Sequence, residues 1–119
     1  KHQISGIDGS NVVINSEETK IDNETVEHKE LSSEFVVCNS SNSEISLDGI
    51  MQTLKLSHLR DCEIKSGPVA RSVMVSNCKD CTIHIASQQI RIHDCTNCKF
   101  YVWCKSKPII EDCSQLLFH

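Results

Sequence analysis

The run SNCKDCTIHIASQQIRIHDCTNCKFYV, Ser76 to Val102, holds two C-x-x-C pairs, Cys78/Cys81 and Cys95/Cys98, on either side of the strand-like QQIRIH. Paired cysteines are what a zinc ribbon uses. They also recur wherever a chain repeats itself, and four segments align across this region: LKLSHLRDCEI (Leu54–Ile64), VMVSNCKDCTI (Val73–Ile83), IRIHDCTNCKF (Ile90–Phe100) and PIIEDCSQLLF (Pro108–Phe118). Each carries apolar residues at alternate places around a short turn. Anchored on the middle apolar position, the four copies bring Leu59, Cys78, Cys95 and Cys113 into one nearly evenly spaced series. A weaker copy, FVVCNSSNSEI (Phe35–Ile45), puts Ser40 one further repeat upstream of Leu59.

A period of roughly 18 residues, built from short alternating strands, is too short for a helical repeat. It predicts an all-β fold, a parallel β-helix in which each repeat is one coil and equivalent residues stack in columns. The columns bear on the cysteines. One reads Ser40, Leu59, Cys78, Cys95, Cys113; the column three places on reads Ser43, Cys62, Cys81, Cys98, Leu116. Leucine cannot ligate a metal, so a thiol sharing its column reads as a small apolar side chain of a narrow core. The spacing argues the same way: only Thr82–Asp94 separates Cys81 from Cys95, a shorter stretch than the roughly 15–20 residues of a ribbon. The expectation is therefore no metal and no cofactor, with zinc binding and disulfides as the alternatives. Asn77, Asp94 and Asp112 before the anchors, and Asp61, Asp80 and Asn97 between the columns, are short polar residues suited to coil corners. Cys104, at alternate spacing from Val102, is expected in the core.

At 119 residues the chain is expected to form a single domain spanning 1–119. Ile4, Ile7, Val12 and Ile14 read as an opening coil, and the charged, aperiodic stretch at 16–34 as a polar loop or insert. Net charge is −4 with cations scattered, which disfavours nucleic acid. No apolar run approaches the roughly 18 residues of a membrane span and no signal-peptide pattern opens the chain. Because it does not begin with Met, it is expected to be a piece of a longer protein.

Alternation also fixes what faces outward. With Ile90 and Ile92 inward, Gln89, Arg91 and His93 point out, beside Ser72, Met74 and Ser76 of the coil before and Lys107, Ile109 and Glu111 of the coil after. On one reading Arg91 and Glu111 form an ordinary surface ion pair. On the other, apolar Met74 and Ile109 among the charges mark a partner interface. His84 and His93 have no Ser or Cys nucleophile evidently paired to them, and no phosphate-binding loop or catalytic triad is identifiable; the chain is not expected to be an enzyme by itself.

From about Leu54 onward the sequence resembles the cofactor C-like (C-CAP) superfamily, especially its tubulin-binding cofactor C branch. The motifs that carry the resemblance are SGPVARSVMVSNC (Ser66–Cys78), SQQIRIHDCTNCKFYV (Ser87–Val102) and PIIEDCSQLLF (Pro108–Phe118), about half the chain. The resemblance implies a right-handed parallel β-helix. It implies that Arg91 of Gln89-Ile90-Arg91 is an arginine finger inserted into a partner's GTP site, with Gln89 orienting groups near the phosphates and Glu111 binding the partner or holding Arg91. Met74, His93 and Ile109 would complete the partner-binding face. The partners implied are β-tubulin within the αβ-dimer and tubulin cofactors D and E, with GTP touched only through tubulin, in a monomeric, cytoplasmic, cytoskeleton-associated protein. A sister branch acts on small ARF-like GTPases, and other relatives are non-catalytic cytoskeletal scaffolds; Arg91 alone does not separate these.

Overall fold

Inward Ile, Val, Leu and Cys alternate with outward polar residues on both sides of each Asn/Asp corner, and β-branched side chains favour the extended conformation this demands. The computed structural model describes residues 2–15, 18–22, 24–27, 34–49 and 51–119. Every element among them is a strand: β1 His2–Ser5, β2 Asn11–Ile14, β3 Glu18–Ile21, β4 Glu24–Glu27, β5 Glu34–Ser41, β6 Glu44–Leu47, β7 Met51–Arg60, β8 Glu63–Ser76, β9 Thr82–His93, β10 Thr96–Cys104, β11 Ile109–Glu111 and β12 Ser114–Phe118. Apart from β2–β3 and β3–β4 the strand pairs are parallel, each strand lying on its equivalent one coil away. This is the β-helix that the repeat predicts.

The register turns sequence columns into stacks. Ile4, Val37, Leu56, Val75, Ile92 and Ile110 pair in succession along one face. Val12, Ile45, Ile64, Ile83, Phe100 and Phe118 do so along the next. Of these, Val37, Leu56, Val75, Ile45, Ile64, Ile83, Ile92, Val12 and Phe100 are at most 1% exposed, so burial in the middle coils is nearly complete. At the last coil it is not: Ile110 is 44% and Phe118 38% exposed, although Phe118 still stacks on Phe100 at 5.3 Å between ring centroids.

Each coil turns its corner on two left-handed residues three apart: Gly6/Gly9, Asn39/Asn42, His58/Asp61, Asn77/Asp80, Asp94/Asn97 and Asp112/Gln115. Asn and Asp tolerate this region better than other residues with a Cβ, and a β-branched residue there is a steric outlier. The six corners cited from sequence are all left-handed; His58 and Gln115 occupy the same columns without the composition that would have marked them. Asp61→Val is expected to cost about 1–2 kcal/mol, read from the denaturant midpoint, whereas Asp61→Gly should stay close to wild type because glycine meets no Cβ penalty.

The stretch read as a polar loop departs from that expectation. Residues 18–27 contain β3 and β4, an antiparallel pair joined at left-handed Asp22, and β3 runs antiparallel to β2 with Val12 opposite Ile21. Charged residues at alternate places, with Lys20 and Glu24 exposed, conceal the pattern, since an edge hairpin has little to bury. Positions 16, 17, 23 and 28–33 lie outside the described residues, and with them the rest of that reading. The insertion is visible in the register: Ile4 pairs with Val37, a far longer step than those from Val37 to Leu56 and from Val75 to Ile92.

The shortening of the step between later coils also has a location. Lys65 pairs with His84, Pro68 with Ala86 and Ser72 with Gln89, so β8 carries two more residues than β9 and sheds them at shifts between Lys65 and Pro68 and between Val69 and Ser72. Arg71 sits in the second bulge, at the corner leading into the face that carries Arg91.

Candidate functional site

All eight cysteines are unbridged, and Cys38, Cys62, Cys78, Cys81, Cys95 and Cys98 are buried. Six stacked thiols donate to the carbonyl two residues back: Cys62 to Arg60 at 3.2 Å, Cys78 to Ser76 at 3.4 Å, Cys81 to Lys79 at 3.3 Å, Cys95 to His93 at 3.5 Å, Cys98 to Thr96 at 3.4 Å and Cys113 to Glu111 at 3.1 Å. In the coil where serine holds these columns the hydroxyls do the same, Ser40 to Cys38 at 3.0 Å and Ser43 to Ser41 at 2.8 Å. The thiols thus act as core-sized side chains and as weak donors that satisfy corner carbonyls, a second role the apolar reading passed over. Sulfur contacts pull the ladder in opposite directions: Cys62, Cys78 and Cys98 together with burial push the Cys81 thiol up, Cys78, Cys98 and burial push that of Cys95 up, and contacts with Cys81 and Cys95 pull Cys78 and Cys98 down.

Among the described residues the one group of three His, Cys, Asp or Glu with ligand atoms within 4.8 Å is His93, Asp94 and Asp112, all exposed; the C-x-x-C pairs are not brought into such a group. Cys104 and Cys113 are half-buried at the margin of the core, so Cys104 is less enclosed than expected. In native conditions two of the eight thiols should react quickly with an excess of a thiol-specific reagent and the other six only after denaturation; fast reaction of four or more would refute the buried ladder.

The face around Arg91 is built by β7, β8, β9 and β11. Met74 pairs with Arg91 and Arg91 with Ile109; Ser72 pairs with Gln89; Ser76 pairs with His93 and His93 with Glu111. Gln89, Arg91, His93, Lys107 and Glu111 are exposed, Met74 is 44% and Ile109 39% exposed, and Ser72 and Ser76 are half-buried. The structure therefore brings eight of the nine outward residues onto one face, whose neighbouring strands lie about 4.8 Å apart, while Lys107 is exposed just before β11 and outside the paired register. Lys55, which pairs with Met74, extends the column by one coil. A shallow groove of 370 Å³ lies along it, with Lys55, Met74, Arg91, His93 and Glu111 in its walls.

Arg91 has no ion-pair partner among the described residues. The pairs within 4 Å there are Lys20–Glu18, Lys65–Glu63 and the two contacts of His93, so the Arg91–Glu111 pair of a plain charged surface is not formed. Glu111 stands opposite His93 instead. The guanidinium, flanked in its column by apolar Met74 and Ile109, keeps its planar fork of donors available.

His93 is more constrained. Its Nδ1 lies 2.7 Å from Asp94 Oδ2 and its Nε2 3.2 Å from Asp112 Oδ2. Both aspartates are left-handed corner residues of successive coils, so the corner column doubles as a clamp that orients the ring beside Arg91. The signal was present in sequence, since Asp94 and Asp112 precede stacked anchors, but only the register shows them flanking one imidazole. His84, the other strand histidine, stacks on Tyr101 at 4.4 Å.

Residues 32–119 match the family Tubulin binding cofactor C. Curated relatives include tubulin-specific chaperone C of Mus musculus, 33% identical over 85 residues, and tubulin-folding cofactor C of Arabidopsis thaliana, 35% identical over 85 residues, each alignment covering 71% of this chain and 25% of the relative. Tubulin-specific chaperone C of Homo sapiens is 37% identical over 78 residues, 66% of this chain and 22% of the relative. The matched region spans about a quarter of these proteins. With a family match across most of its length and a β-helix beneath it, this chain belongs to the tubulin binding cofactor C family.

Proposed function

We propose that this domain works in tubulin folding as a GTPase-activating module: together with cofactors D and E it stimulates GTP hydrolysis by β-tubulin, and Arg91 is the residue supplied in trans. The observation that carries this reading is the exposed Arg91 guanidinium, without a carboxylate within 4 Å among the described residues and set between two exposed apolar side chains. A charge left unpaired on a partly apolar face is arranged for a partner rather than for the fold. In a water-excluded nucleotide site the fork neutralises charge spreading over the phosphoryl oxygens in the transition state. Gln89, two residues earlier on the same strand, orients groups near the phosphates. Met74, His93, Ile109 and Glu111 form the surface that seats the partner. The domain then contributes one residue to another protein's chemistry, needs no cofactor of its own and acts as a monomer in the cytoplasm.

The test is GTP hydrolysis by αβ-tubulin with cofactors D and E, with and without this chain, alongside the same measurement on a small ARF-like GTPase. Stimulation with tubulin supports the reading. Stimulation confined to the ARF-like protein would replace the partner while keeping the mechanism, and none in either would leave a scaffold.

A further inference from the structure

Away from the Arg91 column, where β8 and β9 bend between faces, two concavities meet at Gln88. One is a polar cleft of 730 Å³ whose charged walls are Arg71 and Lys105, with Gln88 and Gln89 between them. The other, of 370 Å³, is apolar, formed by Pro68, Val69, Ala86 and Trp103. Trp103 pairs with Ala86, and the backbone N–H of Lys105 donates to the Ser87 carbonyl at 3.2 Å, so the aromatic ring and the cation lie two residues apart along one edge. Trp103 is 65% exposed, the highest of the exposed large apolar side chains.

Two features set this groove apart from an ordinary surface. Its charge runs against the chain: 16 acidic and 12 basic residues give a net −4, yet no carboxylate lines either concavity, and neither Arg71 nor Lys105 is in an ion pair among the described residues. In the wall of the apolar pocket, Ser87 is 4% exposed and its Oγ is the one buried side-chain N or O atom without a hydrogen-bond partner among the described residues. Buried hydroxyls ordinarily find partners, so hydrogen-bonding capacity is left unused at this spot.

We propose that the groove is a docking site for an extended acidic peptide segment of a partner protein, its carboxylates on Arg71 and Lys105 and one apolar side chain seated against Trp103, Pro68 and Val69. Opposite charge steers and holds the acidic part, and a partly exposed tryptophan beside a small apolar pocket is the kind of anchor on which binding energy concentrates. The bulge that shortens the repeat at Arg71 is what swings that cation to the cleft's rim. The site stands whether or not Arg91 acts as a finger, and its test does not involve hydrolysis.

Trp103 is the single tryptophan of the chain, so its emission reports the apolar pocket directly. The peptide acetyl-EDELEDE-amide, fluorescein-labelled for anisotropy and unlabelled for emission, is titrated into the intact chain. Binding with a blue shift of Trp103 emission is expected. Arg71→Glu combined with Lys105→Glu should weaken it at least about tenfold, and Trp103→Ala should weaken it while leaving binding of the Leu-to-Ser peptide unchanged. All three positions are exposed, and unchanged melting midpoints would establish that the variants fold. An unshifted Trp103, equal affinity for a peptide with Lys in place of its acids, or equally tight binding of an oligothymidylate would overturn the proposal, the last by showing a general polyanion surface.

Discussion

Arg91→Ala is expected to lower the stimulated rate of GTP hydrolysis by about a thousandfold or more, with the domain's stability unchanged within about 0.5 kcal/mol. Both halves come from the same geometry. The guanidinium is exposed and makes no ion pair with a described residue, so its removal strips nothing from the fold. A thousandfold in rate corresponds to about 4 kcal/mol of transition-state stabilisation, far beyond the roughly 0–1 kcal/mol that a surface ion pair contributes. Size alone therefore separates a finger from a binding contact: a loss below about fivefold, measured in single turnover at saturating domain, would exclude the finger even if affinity fell. Arg91→Lys sharpens the comparison. It keeps the charge and loses the planar fork, and should recover only a small part of the rate if two phosphoryl oxygens are engaged at once. Full recovery by lysine would reduce the requirement to a point charge.

Why a finger would sit here follows from the coil. Arg91 lies in β9, with Met74 on one side and Ile109 on the other, each held by parallel ladder pairing. Ile90 and Ile92, immediately before and after it, are at most 1% exposed, so the backbone under the guanidinium is pinned from within. A long side chain on a rigid strand loses less freedom on docking than one on a loop, which is where preorganisation adds to catalysis.

Much of this was legible in the chain. The alternation in IRIH and the nearly even spacing of Leu59, Cys78, Cys95 and Cys113 state both the strand faces and the stacking, because a solenoid repeats its contacts at fixed intervals. Arg91's neighbours follow from the same arithmetic, and the register places Met74 and Ile109 where it puts them. What stayed hidden has physical reasons. One apolar side chain of β3, Ile21, packs against the core, too little for hydrophobic periodicity to announce the hairpin. Uneven spacing of the anchors says that residues are lost between coils but not where; the bulges beside Pro68 and Arg71 are choices made by backbone pairing. The clamp on His93 joins side chains one coil apart, Asp94 and Asp112, through corner conformations that composition only suggests. Whether Gln89 and Glu111 touch a partner is a property of the complex, which the register of one chain does not contain.

The second large effect concerns the thiol ladder. Cys95→Asp is expected to unfold the domain, whereas Cys95→Leu and Cys95→Ser fold. Cys95 is fully buried, and its Sγ donates to His93 O at 3.5 Å and lies 3.9 Å from Val75 O. An aspartate placed there puts its oxygens against carbonyl acceptors with no cation beside them. An uncompensated buried carboxylate costs on the order of 3–5 kcal/mol or more, comparable with the total of about 5–15 kcal/mol that holds a domain together. Leucine meets a different obstacle: it adds volume between Cys78 and Cys113, at about 1–3 kcal/mol for overpacking, but Leu59 occupies the same column further along the stack and shows that it can accommodate the shape. Serine keeps the donor, as Ser40 does in its own coil, and gives up only a small apolar contribution. The expected order of denaturation midpoints is therefore wild type, then serine and leucine, then aspartate without a folded baseline. If the aspartate variant melted within about 1 kcal/mol of the leucine variant, the position would be open to solvent or charge, and the stacked-core account of these cysteines would fail.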